Sequence, residues 1–227
     1  MPLMSPIWGV LMIVLGIMVN PPGGQGADAV KLPRPSHEGA MSVAEALKAR
    51  RTVRRFATRP LALAQVGQLL WAADGVSDPR GLRTAASAGA TYPLELYLVV
   101  GERGVTGLAA GVYRYLVAEH ALTPTVKGDL RAQVARVSLN QAWMAEAPVM
   151  VVVAAEYRRC TNRYGERGVM YTHMESGHVG QNIFLMAEAL GLGAGIVGAF
   201  EDRGLSQALE LPQGQVPLLV MPVGYKH

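Results

Sequence analysis

The densest chemistry in the sequence is one short run, Arg50-Arg51-Thr52-Val53-Arg54-Arg55-Phe56. A phosphate dianion is held well by several guanidinium forks and a hydroxyl donor. Arginines at i, i+1 and i+4 with a threonine between them converge where a chain leaves a helix. The same spacing suits a solvated basic face laced with salt bridges, and spacing alone leaves both readings open. Elsewhere long Lys/Arg runs are absent, and 21 basic against 17 acidic residues give a net charge of +4. One tight cluster matches a small anionic ligand better than an extended polyanion. The 3 Phe, 3 Trp and 8 Tyr form no aromatic-basic stripe, so no nucleic-acid partner is expected.

Other constellations are weaker. Gly191-Leu192-Gly193-Ala194-Gly195 superficially offers a dinucleotide fingerprint. Its glycines follow a helix and precede a strand, the reverse of the order that fingerprint needs. They read instead as a helix end and a place of close backbone approach. His173, Glu175 and His178 lie at i, i+2 and i+5, poor spacing for ligands on one helix face, so no metal is expected. The single cysteine, Cys160, excludes an intrachain disulfide and a cysteine-based zinc or iron–sulfur site. It reads as a loop or strand-end thiol. Neither a Gly-x-Ser-x-Gly elbow nor a P-loop is present.

The elements that must position these residues follow from periodicity. Ser42-Val43-Ala44-Glu45 has the capping-box pattern and opens a short helix ending at the arginines. Residues 63–73 carry Val66, Leu69, Leu70 and Ala73 at helical spacing, and Gly75 stops them. Residues 76–91 read as loop, 94–100 as a buried strand, 111–115 as a second strand and 127–137 as a helix. The valine-rich run 148–155 is the clearest central strand. Thr172, with Glu175 three residues on, predicts the start of the longest helix, which has Val179, Ile183, Met186, Ala187 and Leu190 on one face and ends at Gly191. A strand over 196–200, a short helix over 205–209 and a final strand over 216–223 complete an α+β domain.

Residues 1–29 stand apart. An apolar run from Ile7 to Val19 is shorter than the roughly 20 residues of a membrane-spanning helix. It is followed by Gly and Pro and then Ala27-Asp28-Ala29, the small-x-small pattern of a signal-peptidase site. The expectation is a signal peptide or an uncleaved anchor, hence a protein exported to the periplasm or beyond or held at its N-terminus, with no stable membrane span after cleavage. Residues 30–41 read as an extended lead-in and 42–227 as one domain.

Taken in order, four motifs resemble the nitroreductase-like superfamily of FMN-dependent proteins, nearest its thiazoline/oxazoline dehydrogenase-type branch. They are residues 49–56, Leu69-Leu70-Trp71-Ala72-Ala73-Asp74-Gly75, Ser87-Ala88-Gly89-Ala90-Thr91-Tyr92-Pro93-Leu94-Glu95-Leu96, and Glu175-Ser176-Gly177-His178-Val179-Gly180-Gln181-Asn182 followed by Gly191-Leu192-Gly193. The resemblance runs from about Ser42 to Gly224. It implies a central, mostly antiparallel sheet flanked by helices, in an intertwined homodimer with flavin at the subunit interface. It implies that Arg50, Thr52 and Arg54, with Arg51 nearby, grip the phosphate and ribityl chain of FMN. Ser87, Ala88, Gly89, Tyr92 and Pro93 would line the isoalloxazine ring, and Val197, Gly198 and Ala199 would lie against it with a backbone N–H facing N5.

The implied activity is ping-pong hydride transfer from NAD(P)H or another donor to a small electrophilic acceptor such as a nitroaromatic, quinone or flavin. The flavin carries the hydride chemistry, so no acid–base pair is required, and Tyr164 is the one candidate catalytic side chain. The alternatives are a dehydrogenase of a peptide or heterocycle and a flavin-binding module without turnover. Two departures stand out. The peptide-maturing branch has a Lys-Tyr pair where this chain has Arg163-Tyr164, and the chain stops at Gly224-Tyr225-Lys226-His227, leaving Lys226 as the last basic candidate for the phosphate.

Overall fold

A computed structural model describes residues 29–227. The leader expectation therefore falls, but for Ala29, outside the described residues. Among the described residues no helix is long and apolar enough to cross a membrane.

Seven strands form one sheet: β1 (Val30–Lys31), β2 (Leu94–Val100), β3 (Gly111–Leu116), β4 (Ala121–Lys127), β5 (Val149–Ala155), β6 (Leu192–Ala194) and β7 (Val216–Tyr225). Their order is β1-β4-β3-β2-β5-β7-β6, and every neighbouring pair is antiparallel. All seven residues of β5 are buried, because both of its faces are covered and β2 and β7 flank it. Alternation along β5 sends Val151 and Val153 to one core and Val152 and Ala154 to the other. The first core is closed by α2 (Leu63–Asp74) and α5 (Arg167–Ala189), through Leu69, Leu70, Val179 and Ile183. The second is closed by α3 (Arg131–Val137) and α6 (Asp202–Ala208), through Val134 and Leu205, and by Met144 of the short turn 142–146. Two short helices complete the chain: α1 (Val43–Ala49) packs on α5, and α4 (Arg158–Tyr164) runs into it. This is an α+β fold, as expected.

Four local expectations need correction. The longest helix does not start at Thr172: α5 begins at Arg167, and Gly165 at φ 57° separates it from α4, a helix the sequence reading missed. Thr172 sits inside α5 and donates its hydroxyl to the Gly168 carbonyl at 2.9 Å, the i−4 bond that competes with capping. Cys160 is a buried residue of α4, not a loop or strand-end thiol. No strand covers 196–200; the glycine run itself supplies β6, and Val197 alone bridges to Val220. Finally, β4 was unforeseen and pushes the start of α3 from 127 to Arg131. Pro124 hides β4 in the sequence, and it is accommodated at a register shift opposite Val112/Tyr113.

Candidate functional site

The capping box forms as read: the Glu45 N–H donates to Ser42 Oγ at 3.2 Å, and the Ser42 N–H donates to Glu45 Oε2 at 2.8 Å. It fixes α1, which delivers Arg50 at its C-terminal end. The chain then lies along β6. Thr52 pairs with Ala194, and the Val53 N–H donates to the Ala194 carbonyl at 2.8 Å. This contact is why glycines recur here. A Cβ on Gly193 would stand 2.7 Å from Val53 Cγ2, and one on Gly195 would stand 2.8 Å from the Trp143 ring.

Two arginines of the cluster are held by aromatic faces. Arg50 lies over the Phe184 ring at 5.0 Å, and Arg54 lies over Trp143 at 5.8 Å. Arg51 turns back to donate to the carbonyls of Lys48 and Arg50 at 3.1 and 2.7 Å, so it serves the C-terminus of α1. Among the described residues none of Arg50, Arg51, Arg54 and Arg55 pairs with a carboxylate. A basic face laced with salt bridges is therefore not what these residues form. Lys226 is engaged, its Nζ donating to Glu188 Oε2 at 2.5 Å.

Val197, Gly198 and Ala199 continue from the same edge. Val197 is buried against β7, while Gly198 and Ala199 are exposed. An added Cβ at Gly198 would meet nothing within 4 Å. Thr52 thus lies on β6 at Ala194, and Arg54 reaches the segment that leads to residues 197–199 through Trp143, whose ring stands against Gly195.

The third expected group lies elsewhere. Ser87, Ala88, Gly89, Tyr92 and Pro93 belong to the loop between α2 and β2. Tyr92 takes φ 44°, and its N–H donates to Ser87 Oγ at 3.0 Å. The loop is tied to α5 by His178 Nδ1 at 2.9 Å from the Ala86 carbonyl and by Asn182 Nδ2 donating to the Thr84 carbonyl at 3.4 Å. Arg163 of α4 donates to the Gly89 carbonyl at 3.2 Å, and the Tyr164 hydroxyl lies where a Gly89 Cβ would be.

α5 measures the separation of the groups. Glu175 is beside Ser87, and Phe184 is beneath Arg50. Nine residues of helix are about 13.5 Å and two and a half turns, so the two groups face opposite sides of α5. Among the described residues no hydrogen bond joins the two groups.

Under the Ser87 loop is a buried acidic pair that sequence reasoning missed. Asp74, fully buried at the end of α2, accepts from Arg83 Nη1 at 2.6 Å through one oxygen and leaves the other without a partner. Burial pushes its carboxyl up to about 6, with Arg83 opposing. Glu175 is 2% exposed, and neither carboxyl oxygen has a hydrogen-bond partner of good geometry. Burial pushes it up to about 7; Ser87 and Arg83 oppose the rise, and Asp74 adds to it. The available signal was spacing: Glu175 stands four residues before Val179 and eight before Ile183, on their apolar stripe.

His173 and His178 point to different partners, Tyr157 and the Ala86 carbonyl. A cavity of about 660 Å³ lies between residues 34–43, α1, α2 and α5, where His37 stacks on Trp71, and none of Arg50, Arg51, Arg54 and Arg55 lines it.

An antiparallel sheet between two helical layers, with an arginine cluster that has no carboxylate partner among the described residues laid on a glycine edge, defines an α+β protein with a cationic edge. The family model described as Nitroreductase matches residues 47–225, and the chain belongs to the nitroreductase family. It is 42% identical over 199 residues to a Methanocaldococcus jannaschii protein named as a nitroreductase, covering 88% of this chain and 98% of that one. It is 27% identical over 169 residues to the microcin B17-processing protein McbC of Escherichia coli, covering 72% of this chain and 62% of that one. A crystal structure from Ralstonia eutropha JMP134, assigned to the nitroreductases, superposes with a TM-score of 0.76 at 26% identity, covering 98% of both chains.

Proposed function

We propose that this protein is an FMN-dependent oxidoreductase that passes electrons from NAD(P)H or another donor to a small electrophilic acceptor. The observation that carries the reading is the trio Arg50, Thr52 and Arg54, held on the Gly193 edge with no carboxylate partner among the described residues. Such a set suits a phosphate dianion, since guanidinium forks and a hydroxyl all donate. FMN, when bound, supplies the hydride chemistry. Arg50 and Arg54 hold the phosphate end, with Thr52 as a hydroxyl donor. Gly198 offers an open stretch of backbone against which a flat ring could lie, and a backbone N–H there would be a fixed donor to the edge of that ring.

The reading includes a homodimer. The Ser87 loop faces away from the arginines of its own chain, so a second copy must supply it to complete a site containing both. α5 carries exposed Met170 and Met174, four residues apart, as an apolar stripe for such a contact. A second reading, oxidation of a peptide or heterocycle, is favoured by the likeness to McbC and by Tyr164 lying against Gly89. Arg163 in place of lysine weighs against it, because a guanidinium that stays charged is a poor general base. Export of the protein rests on the pattern of residues 1–29 alone.

The test is the visible spectrum of purified protein followed by anaerobic NADPH addition. Yellow protein that bleaches is the expected result. Colourless protein that takes up no added FMN refutes the flavin reading, and yellow protein that NAD(P)H leaves unbleached removes the donor alone.

A further inference from the structure

Tyr92 takes a backbone conformation that its residue type and its neighbour both oppose. Its φ of 44° lies in the left-handed region, which a bulky side chain rarely adopts. It also precedes Pro93, and the residue before a proline favours extended backbone. Gly89 and Ala90 take φ 57° and 53° just ahead of it, so the chain turns back sharply between Ser87 and Pro93. Strain of this kind persists only where the surroundings over-determine it, and it collects at binding sites.

Three contacts hold Tyr92. Its N–H donates to Ser87 Oγ at 3.0 Å, its carbonyl accepts from Arg159 Nη1 of α4 at 3.1 Å, and its ring carries the Arg83 guanidinium at 4.2 Å. Each arginine is itself anchored on a buried carboxylate. Arg159 Nη2 donates to Glu95 Oε1 of β2 at 2.6 Å, and Arg83 Nη1 donates to Asp74 Oδ2 of α2 at 2.6 Å. Glu95 is 8% exposed and Asp74 is fully buried. Glu156 joins the same corner: its N–H donates to the Pro93 carbonyl at 2.8 Å, and its carboxylate lies 3.0 Å from Arg159 Nη2. Buried ion pairs are a poor source of stability, because desolvation offsets their attraction. Two of them converging on one strained residue supply a fixed geometry instead.

We propose that Arg159 is a positioning residue for the flavin ring: by gripping the Tyr92 carbonyl from α4, it keeps the Ser87–Pro93 loop in its ring-binding shape before any ligand is present. The proposal rests on the reading that Ser87, Ala88, Gly89, Tyr92 and Pro93 line a flavin site. Without the Arg159 fork, Tyr92 relaxes toward the extended backbone that Pro93 favours, and its N–H leaves Ser87 Oγ. The ligand must then order the loop as it binds, and that cost appears as lost affinity. Arg159 is also the arm whose removal leaves the other groups paired, since Glu95 keeps Arg114 Nε at 2.9 Å on its second oxygen. Removing Arg83 would instead leave Asp74 buried without an ion-pair partner among the described residues.

The experiment compares wild type, Arg159→Met and Arg159→Lys in two measurements. Amide hydrogen exchange of the apoprotein reads residues 87–92 against the buried strand β5. Fluorescence titration reads the Kd for FMN. Methionine keeps the apolar stem and removes every donor, so exchange over 87–92 should rise about tenfold or more while β5 stays as in wild type. The Kd for FMN should rise by a similar factor. Arg159→Lys restores a charged donor and should recover part of both losses. Unchanged exchange over 87–92 in Arg159→Met overturns the proposal. So does an equal rise in β5, which would mean that Arg159 supports the whole fold, and so does lysine behaving like methionine, which would reduce the residue to packing. A loosened loop that binds FMN as tightly as wild type shows that the held shape does not serve the flavin, and also overturns it. Wild type that takes up no FMN at all refutes the flavin reading and the role given to Arg159 with it. The two failures are told apart because the positioning role alone fails when wild type binds FMN and the variants match it.

Discussion

Replacing Glu175 by glutamine should change how stability responds to pH, in a direction fixed by the structure. The carboxyl is 2% exposed, lacks a well-formed hydrogen bond and is pushed by burial from its ordinary 4.5 up to about 7. A group whose value rises on folding stabilises the fold fully below its unfolded value and loses that contribution as the pH climbs through the folded one. The relevant window is therefore about pH 4.5 to about pH 7. At 1.36 kcal/mol per pH unit the rise amounts to about 3 kcal/mol. Glutamine is neutral throughout, so its packing and desolvation costs are independent of pH and cancel when the two proteins are compared across the window. Urea unfolding of wild type and Glu175→Gln at both ends of the window is the assay. The variant should gain about 3 kcal/mol on wild type from the acid to the alkaline end, or roughly 6–12 °C in Tm for a domain of this size. Parallel stability–pH curves would mean that Glu175 ionises at its ordinary value, and the buried neutral acid would have to be abandoned.

The double change Arg50→Ala with Arg54→Ala removes two charge-assisted grips and should weaken FMN binding at least about a hundredfold, read by fluorescence titration; full retention would move the phosphate elsewhere. Gly193→Ala drives a Cβ to 2.7 Å from Val53 Cγ2 and 3.0 Å from Lys226 Cγ, and should cost about 1–3 kcal/mol in urea unfolding. Wild-type stability in that variant would show that residues 52–53 do not lie on β6 as described.

What the sequence revealed depended on whether a residue's role is written in its neighbours along the chain. β5 was legible because seven consecutive buried residues leave no other reading, and α1 because Ser42 and Glu45 cap each other within one turn. Thr172 and Glu175 display the same Ser/Thr-x-x-Glu pattern, yet there the threonine bonds backward and the acid is buried. A capping box is a local signal; whether the chain is already helical at that point depends on Gly165, seven residues earlier. β4 was missed because Pro124 breaks its pattern, and the strand pairs with β3 only by bulging at Thr125, the residue next to that proline. The arginine cluster was visible, but its lack of carboxylate partners was not, since those are set by tertiary packing. Arg83 illustrates the converse: a plain loop arginine in the sequence is the main counter-charge to a buried acid in the fold.

The motif Glu175 to Asn182 reads as a single site in the sequence, yet it mixes two faces of α5. His178 and Asn182 hold the Ser87 loop and Glu175 lies buried on the same side, whereas Gly177 and Gly180 fall on the side that leads to Phe184 and Arg50. If one flavin uses both faces, it must draw the arginines from one chain and the loop from another. Complementation separates this arrangement from a site confined to one chain. Arg50→Ala/Arg54→Ala breaks one half. Gly89→Val breaks the other, because Gly89 holds φ 57° with the Tyr164 hydroxyl against its Cβ position. Each homodimer should then bind FMN poorly. Unfolded together in equal amounts and refolded, half of the dimers are hybrids, and each hybrid has one intact site and one doubly broken site. About a quarter of all sites should regain FMN, measured by retained flavin absorbance after gel filtration. A site confined to one chain recovers none on mixing, because every chain carries one of the two lesions.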